Sequence, residues 1–440
     1  MKVRIEKGQT LWDALQQNHF LAERPCGGKG ICGKCKVTIK DAGEVLSCQW
    51  KTPGEYEVLE TTHEEFTSVF VEERLKPKGG IVAAVDVGTT TVAMVMADQN
   101  QEVRFRFTNP QRVYGADVLS RIQAANEGHL FAMKEILKKQ LLEKLVAGME
   151  KLGAEGQCDV FLAANTTMIH ILRGLSCKGL GQAPFTPVTL ETGCEHWQWG
   201  KNRFVIHFMP GISTFVGADI VSGIYGLSIL DKKNSFFIDL GTNGEMAVFD
   251  GTRIFCASTA AGPAFEGSEL AMKIHGAGIL NNLHEMRQRG IMDEYGLLEE
   301  PYFSKGYPVE FQGQTATITQ EDIREIQMAK GAIRAGIEIL LKEANLQAES
   351  IDQVFLAGGM GFYLQPEDAF ALGLLPHDFK NKVQIVGNSA LLGTIKTANQ
   401  YTQKINHVWA KIEEIREQAK EVVLAEHPEF EERYLEAMNL

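Results

Sequence analysis

The apolar positions of this chain follow two periods. An opening strand-like stretch (KVRIEKG) leads into a helical one (TLWDALQQN), where Thr10 is a natural N-cap before Leu11 and Leu15. A Gly- and Cys-rich loop follows, then a strand (CKVTI), a short return through VLSCQW, and a last strand near YEVLE. The pattern restarts at Ile81 with IVAAVDVGTTTVAMVMAD, two apolar strands around a turn, and again at Phe236 with FFIDLGTNGEMAVFDG. Each copy continues with a third strand (EVRFRF; TRIFCAS), a long helical region, a fourth strand (CDVFLAAN; IDQVFLAGG), a helix, a fifth strand (RFVIHFM; VQIVG) and a closing helix (FVGADIVSGIYG; ALLGTIKTA). Met133, Leu137, Leu141 and Leu145 form one i, i+4 stripe, and Ile323, Ile326, Lys330, Ile333 and Ile337 nearly form another. Such stripes mark core faces. Two βββαβαβα halves in tandem predict a duplicated α/β fold with a cleft between the halves.

Composition narrows the setting. The 440 residues are 44% hydrophobic and 23% charged, enough for two or three globular domains. A formal charge of −12 argues against nucleic acid or an anionic membrane surface as a partner. The segment MKVRIEKGQT lacks an apolar run of signal-peptide length, and no stretch reaches the roughly 20 apolar residues of a membrane span, so a cytoplasmic protein is expected. Of eight cysteines, four lie between residues 26 and 48. Clustered thiols in such a chain point to metal or redox chemistry rather than a disulfide framework.

The cluster reads Cys26-GGKGI-Cys32-GK-Cys35, with Cys48 thirteen positions later. Four soft, anionic thiolates suit a pair of sulfide-bridged irons, and Gly27, Gly28, Gly30 and Gly33 let the backbone wrap tightly and present N–H groups to sulfur. A structural zinc site would use two separated knuckles, whereas only Cys32 and Cys35 form a Cys-x-x-Cys pair. The arrangement resembles the plant- and adrenodoxin-type ferredoxins, which implies a β-grasp fold holding a 2Fe–2S cluster on Cys26, Cys32, Cys35 and Cys48. The fourth cysteine follows the third more closely than in free-standing ferredoxins, so a trimmed fold is expected between them. Residues 61–79, charged and ending in Lys-Pro-Lys-Gly-Gly, predict a linker that lets this domain move.

The repeated turns carry their own chemistry. Asp86 aligns with Asp239, Gly88 with Gly241 and Thr89 with Thr242. A strand–turn–strand with Asp, Gly and Thr offers N–H groups and hydroxyls to phosphate oxygens, while the carboxylate can reach Mg²⁺ through water. Gly358-Gly359-Met360-Gly361, after a buried strand, lets backbone approach a nucleoside. Three such elements in order resemble the acetate- and sugar-kinase, Hsp70 and actin superfamily over residues 80–400, which implies ATP binding in an actin-like (RNase H-like) core. Asp86 and Asp239 are expected near Mg²⁺. Gly88, Thr89, Thr90, Gly241, Thr242 and Asn243 are expected to cradle phosphates, and Gly358, Gly359 and Gly361 to border the nucleoside. Asn165 and Thr166 are candidates for positioning the γ-phosphate or the attacking water, a plain helix cap being the alternative. The block 258–267 either lines the cleft or, at Gly262-Pro263, only turns. Cys158, Cys177, Cys194 and Cys256 read as structural thiols, and His63, His170, His207 and His275 show no metal spacing.

Further segments narrow the family: NPQRVYGADVLSRI (109–122), NTTMIHIL (165–172), PGISTFVGADIVSG (210–223), STAAGPAFEG (258–267) and ITQEDIREIQMAKGAIRAGIEIL (318–340). With the cysteine-rich domain they resemble the ATP-dependent reductive activators of corrinoid proteins, over nearly the whole chain. The resemblance implies one-electron reduction of cob(II)alamin to cob(I)alamin in a methyltransferase system, an external low-potential reductant, and a homodimer. Each ~59 mV of deficit in a one-electron step costs about 1.4 kcal/mol, so coupling to ATP is reasonable. The expected layout is a ferredoxin-like domain over 1–60, the linker over 61–79, ATPase halves over 80–232 and 233–400, and a helical extension over 401–440. A small-molecule kinase with an iron–sulfur sensor and a chaperone-like switch are the readings from other classes. The dehydratase activators share the ATPase fold but bridge two subunits with one cluster, and the complete four-cysteine set argues against them.

Overall fold

The computed structural model describes residues 2–17, 35–40, 42–59, 71–241, 243–259, 264–265, 269–311 and 314–440. Four sheets organise it. The first joins β1 (Lys2–Ile5), β2 (Lys36–Ile39), β3 (Gly43–Leu46) and β4 (Gly54–Leu59) in the order β1-β4-β2-β3, with α1 (Leu11–Gln17) packed on one face. Helix α1 starts where the sequence places it: Asp13 accepts from the Thr10 backbone N–H and hydroxyl at 2.8 Å each.

The second sheet contains β5 (Ile81–Val87), β6 (Thr91–Ala97), β7 (Glu102–Thr108), β8 (Gln157–Ala164), β9 (Gly193–Trp199) and β10 (Asn202–Phe208), ordered β7-β6-β5-β8-β10-β9. Its helices are α2 (Val118–Ala124), α3 (Leu130–Lys151), α4 (Thr166–Arg173) and α5 (Ala218–Gly226). The third sheet contains β11 (Ser235–Leu240), β12 (Gly244–Phe249) and β13 (Ile254–Thr259). After α6 (Glu269–Gln288), the short α7 (Tyr302–Lys305), the hairpin β14 (Tyr307–Phe311) and β15 (Gln314–Ile318), and α8 (Gln320–Glu343), it resumes with β16 (Gln353–Ala357). Helices α9 (Gly358–Tyr363) and α10 (Pro366–Ala371), β17 (Val383–Gly387), α11 (Ser389–Gln418), β18 (Ala419–Glu421) and α12 (Phe430–Glu436) complete the chain. The order is β17-β16-β11-β12-β13-β18.

Stripped of β9 and β18, the two large sheets have one topology: β7-β6-β5-β8-β10 matches β13-β12-β11-β16-β17, each with three antiparallel strands followed by two parallel ones. This is the duplicated α/β architecture the repeat predicts. The added strands sit at opposite ends, β9 antiparallel beside β10 and β18 parallel beside β13.

Burial on both faces explains the near-continuous apolar runs of β5 and β11. Ala83 and Val85 face α3 and its Met133–Leu137–Leu141–Leu145 stripe, while Val82 and Ala84 face Leu391, Ile395 and Ala398 of α11. Phe236 and Ile238 face the α6–α8 side, and Phe237 faces α5 with Val408, Ile412 and Ile415 of α11. Helix α11 thus packs its first turns on one sheet and its later turns on the other. It meets α5 at a glycine contact, where a Cβ on Gly226 would stand 2.7 Å from the Gly393 nitrogen.

The long α11, 30 residues, runs through the expected boundary at 400, because TANQYTQKINHVW contains no helix-stopping residue. The described half of the expected linker is packed rather than free. Val71 and Leu75 are buried beside Val82 and Ala398, and Arg104 donates to the Val71 and Glu73 carbonyls at 2.6 and 3.0 Å. Lys76 N–H donates to Asn399 at 2.6 Å. The charged look of this segment conceals two apolar anchors.

Candidate functional site

Two hairpin turns face each other across the cleft. In the β5–β6 turn, Gly88 N–H donates to the Thr91 carbonyl at 3.0 Å, and a Cβ on Gly88 would lie 2.7 Å from that oxygen, so only glycine closes the turn. Four groups fix it from behind. Asn109 Nδ2 donates to Gly88 O and Asn109 N–H to Thr90 O, both at 2.8 Å. Arg121 Nη2 donates to Thr89 O, and Asn165 Nδ2 donates to Thr89 Oγ1 at 3.1 Å. Asn165 is a helix cap, its Oδ1 accepting from Met168 N–H at 2.9 Å at the start of α4, and its amide nitrogen holds the turn. Thr166 is buried, and its hydroxyl donates to the Ser213 carbonyl at 2.6 Å.

In the β11–β12 turn, Gly241 N–H donates to Asn243 O at 3.0 Å, and Asn243 Nδ2 donates to Glu245 at 3.1 Å. Thr242 lies outside the described residues, as do Gly262 and Pro263. Gly358, at φ +87°, opens α9 against this turn; a Cβ there would meet Leu240 O at 2.3 Å and Asp239 Oδ1 at 2.6 Å. Gly359 is exposed. Gly361 is buried, 3.2 Å from Leu356 Cγ at its would-be Cβ, an approach that serves the packing of α9 on β16.

The start of α11 ties the two turns together. Asn388 caps this helix, its Oδ1 accepting from Leu391 N–H at 2.7 Å, and its Nδ2 donates to Asp86 Oδ2 at 2.8 Å. Its neighbour Ser389 donates to Asp239 Oδ2 at 3.2 Å. Two carboxylates join Asp86 and Asp239 that sequence reasoning did not single out: Asp219, in the first turn of α5, and Glu245, on β12. Their signal, an acid within a quoted segment, has no pattern that sets it apart from a surface acid.

All four keep part of their surface open while protein walls them in. Burial pushes Asp86 up to about 7, helped by the charge of Asp219 and opposed by the Asn388 hydrogen bond. Burial raises Asp219 to about 6, against the pull of the Ile220 N–H. Glu245 lies well above the usual carboxylate range, through burial first and then the charges of Asp219 and Asp239. Mutually repelling, desolvated carboxylates make a pocket that favours a cation. Among the described residues no three His, Cys, Asp or Glu side chains converge as a complete metal shell.

At the other end, Cys35 and Cys48 bring their sulfurs to 3.1 Å, both buried. Ser47 N–H donates to Cys35 O at 2.9 Å, and Gln49 Nε2 donates to Cys48 Sγ at 3.5 Å. The Ser47 hydroxyl and Trp50 indole N–H are buried without a hydrogen-bond partner among the described residues. A dry pair of adjacent thiols flanked by unused donors fits an iron–sulfur cluster. Cys26 and Cys32 lie outside the described residues.

The other cysteines do not share this setting. Burial raises Cys158, Cys177 and Cys256, Cys177 to about 12, which leaves them as inert thiols. Cys194 is exposed and also raised. His170 is a packing residue, bonded to Thr166 O at 2.7 Å and Val188 N at 3.0 Å, and His207 pairs with Asp159 at 2.8 Å. His63 and the side chain of His275 lie outside the description.

Residues 1–55 match the 2Fe-2S iron-sulfur cluster binding domain, residues 81–232 the RACo middle region, and residues 233–273 and 269–440 the C-terminal domain of RACo, the ASKHA domain. The chain is 28% identical over 384 residues to the corrinoid activation enzyme RamQ of Eubacterium limosum, covering 73% of this chain and 64% of that protein. It is 26% identical over 235 residues to the [Co(II) methylated amine-specific corrinoid protein] reductase of Methanosarcina barkeri, covering 41% of this chain and 42% of that one. It thus spans less than two thirds of the length of either curated relative. The solved structure of a reductive activator for corrinoid, iron-sulfur protein superposes with a TM-score of 0.71 at 22% identity, over 99% of this chain and 96% of that one, and shares its fold. With RACo regions tiling residues 81–440 behind an iron–sulfur domain, the chain belongs to the RACo family.

Proposed function

We propose that this protein is an ATP-dependent reductive activator that returns an inactive cob(II)alamin-bearing corrinoid protein of a methyltransferase system to the cob(I) state. The observation that carries the reading is the bridge at the start of α11, where adjacent residues of one helix hold Asp86 of the first turn and Asp239 of the second. Such a bridge makes the cleft a single site that a nucleotide would close, in a chain that also presents the buried Cys35–Cys48 pair. The names of both curated relatives support the corrinoid partner.

Cys26, Cys32, Cys35 and Cys48 would hold the cluster, which when bound supplies one electron, itself replenished by a low-potential reductant. Asp86 and Asp239 would hold a hydrated Mg²⁺, with Asp219 and Glu245 adding negative charge around it. The backbone N–H groups of the turns at Gly88–Thr90 and Gly241–Asn243 would receive phosphate oxygens, and Gly358 and Gly359 would border the nucleoside. Asn165 orients Thr89 for this task. A bound cation offsets the burial that raises Asp86 and Asp219, so Mg·ATP draws the walls of the cleft together. That differential stabilisation is what allows nucleotide to shift a conformational equilibrium toward the state that docks the corrinoid protein. We further propose a homodimer, and divisions near residues 60, 80 and 232.

The test mixes the reduced, cluster-loaded protein with cob(II) corrinoid proteins and follows cob(I) absorbance with and without Mg·ATP. ATP-dependent appearance of cob(I) is expected. ATP hydrolysis with phosphorylation of a small molecule and no cob(I) would replace the reading with a kinase.

A further inference from the structure

The nucleotide turn and the cysteine domain are joined by a continuous set of contacts. The turn Pro110–Tyr114 is buried at every residue and is pinned to the β5–β6 loop at both ends. At its start Asn109 bonds Gly88 O and caps the turn through Gln111 N–H at 3.0 Å. At its end Arg121 Nε donates to Gly115 O at 3.0 Å while its Nη2 holds Thr89 O. Gln111 fixes the middle by donating to Met133 O at 3.0 Å. A close-packed piece bonded to the loop at both ends shifts with it as a unit.

Tyr114, the last residue of this turn, meets Trp12 of α1 edge to face, with ring centroids 6.1 Å apart. Both rings are buried, Trp12 at 3% and Tyr114 at 7% exposure, and both belong to the core that runs without a break from the first sheet into the second. Trp12 N–H donates to Ser47 O at 3.0 Å and Leu11 N–H to Trp50 O at 2.7 Å. Helix α1 is therefore clamped on the segment 47–50, which contains Cys48 and its donor Gln49.

We infer that Tyr114 is a positioning residue that couples the nucleotide turn to the Cys48 segment through Trp12, so that nucleotide occupancy and cluster redox state influence each other within one chain. The inference rests on the proposed ATP and iron–sulfur sites. A displacement of Gly88–Thr89 by phosphate moves the Pro110–Tyr114 turn. The moved Tyr114 ring presses on or releases Trp12, and α1 changes the hydrogen bonding and solvent access of Cys48, both of which set cluster potential. Linkage makes the effect reciprocal: one-electron reduction must change nucleotide affinity by the factor by which nucleotide changes the reduction equilibrium.

Reciprocity supplies the experiment. Affinity for a non-hydrolysable ATP analogue with Mg²⁺ is measured by calorimetry on the full cluster-loaded chain, oxidised and after dithionite has delivered one electron per cluster. The unmodified protein is expected to show affinities that differ by about five-fold or more between the two states. Tyr114→Leu should bring that ratio to one while cluster content and affinity in the oxidised state stay within about two-fold, and Tyr114→Phe, which keeps the ring, should retain the ratio. Trp12→Leu should remove it as well, and the double variant should do no more than either single one. Equal affinities in the two states of the unmodified protein, or a ratio that survives Tyr114→Leu, overturn the coupling. Loss of cluster or of all nucleotide binding in the unmodified protein would instead overturn the underlying functional reading.

Discussion

Asn388 Nδ2 stands 2.8 Å from Asp86 Oδ2, a hydrogen bond between residues 302 positions apart that links the cap of α11 to the end of β5. The same amide side chain caps its own helix, so it cannot rotate away without exposing the Leu391 N–H. Replacing Asn388 by Leu should leave the fold intact and push Asp86 above its value of about 7, since the one contact that favours its ionised form is gone. A bond to a charged group contributes about 1.5–3 kcal/mol, so Mg·nucleotide affinity at neutral pH should fall by about ten-fold or more. Calorimetric titration checks this; an unchanged affinity would remove Asp86 from the site.

The pH dependence follows from the raised carboxylates. Asp86 near 7 and Asp219 near 6 both sit above the usual aspartate value, so their folded forms prefer the proton. Their contribution to stability is present below the ordinary carboxylate range and is lost as pH rises from about 4 to about 7. A bound cation reverses this by needing both carboxylates ionised. Mg·nucleotide affinity should therefore rise between pH 5.5 and 7.5, by about ten-fold per pH unit for each proton displaced, and level off above. Titration in buffers of different ionisation heat counts the released protons. Asp86→Asn should flatten the upper part of the profile.

Gly358 tolerates no side chain. Its φ of +87° strains any L-residue by about 1–3 kcal/mol, and a methyl group would meet both Leu240 O and Asp239 Oδ1. Gly358→Ala should weaken nucleotide binding severely and lower the thermal midpoint, while the visible spectrum of the iron–sulfur domain stays unchanged. Gly359→Ala, at an exposed position with φ outside the left-handed range, should be much milder.

How much of this was readable beforehand depends on whether the partners are close in sequence. Asp86–Gly88 and Asp239–Gly241 announce themselves, because an acid and a glycine at the end of an apolar run form a local pattern that recurs. The duplication of the two α/β halves followed from the same repeat, whereas the strand order within each sheet came only with the structure. Asn388, Ser389, Asp219 and Glu245 did not, since each looks like a helix cap or a solvated acid until folding brings four distant segments to one cleft. Strands β9 and β18 and the β14–β15 hairpin escaped notice because they are short or at sheet edges, where alternation is weak. The docking of Trp12 on Tyr114 was hidden for a different reason: α1 reads as an ordinary amphipathic helix, and nothing local says that its core continues into a second sheet.

Separating the two halves of the chemistry gives the sharpest genetic test. Asp239 accepts from Ser389, faces Gly358 and raises Glu245 by its charge, so it belongs wholly to the cleft. Cys35 is buried against Cys48 at the far end of the chain. Asp239→Ala should abolish nucleotide-dependent reduction of the corrinoid protein and leave the iron–sulfur absorbance intact. Cys35→Ala should remove that absorbance and all electron delivery, yet keep nucleotide binding within about ten-fold, the span left for a coupling of about 1.4 kcal/mol between the sites. Mixing the two variants should not restore activity, because an electron held in one chain and a nucleotide held in another share no Trp12–Tyr114 contact. Restored activity in the mixture would show that the two sites act across subunits, and would move the coupling from within the chain to an interface between copies.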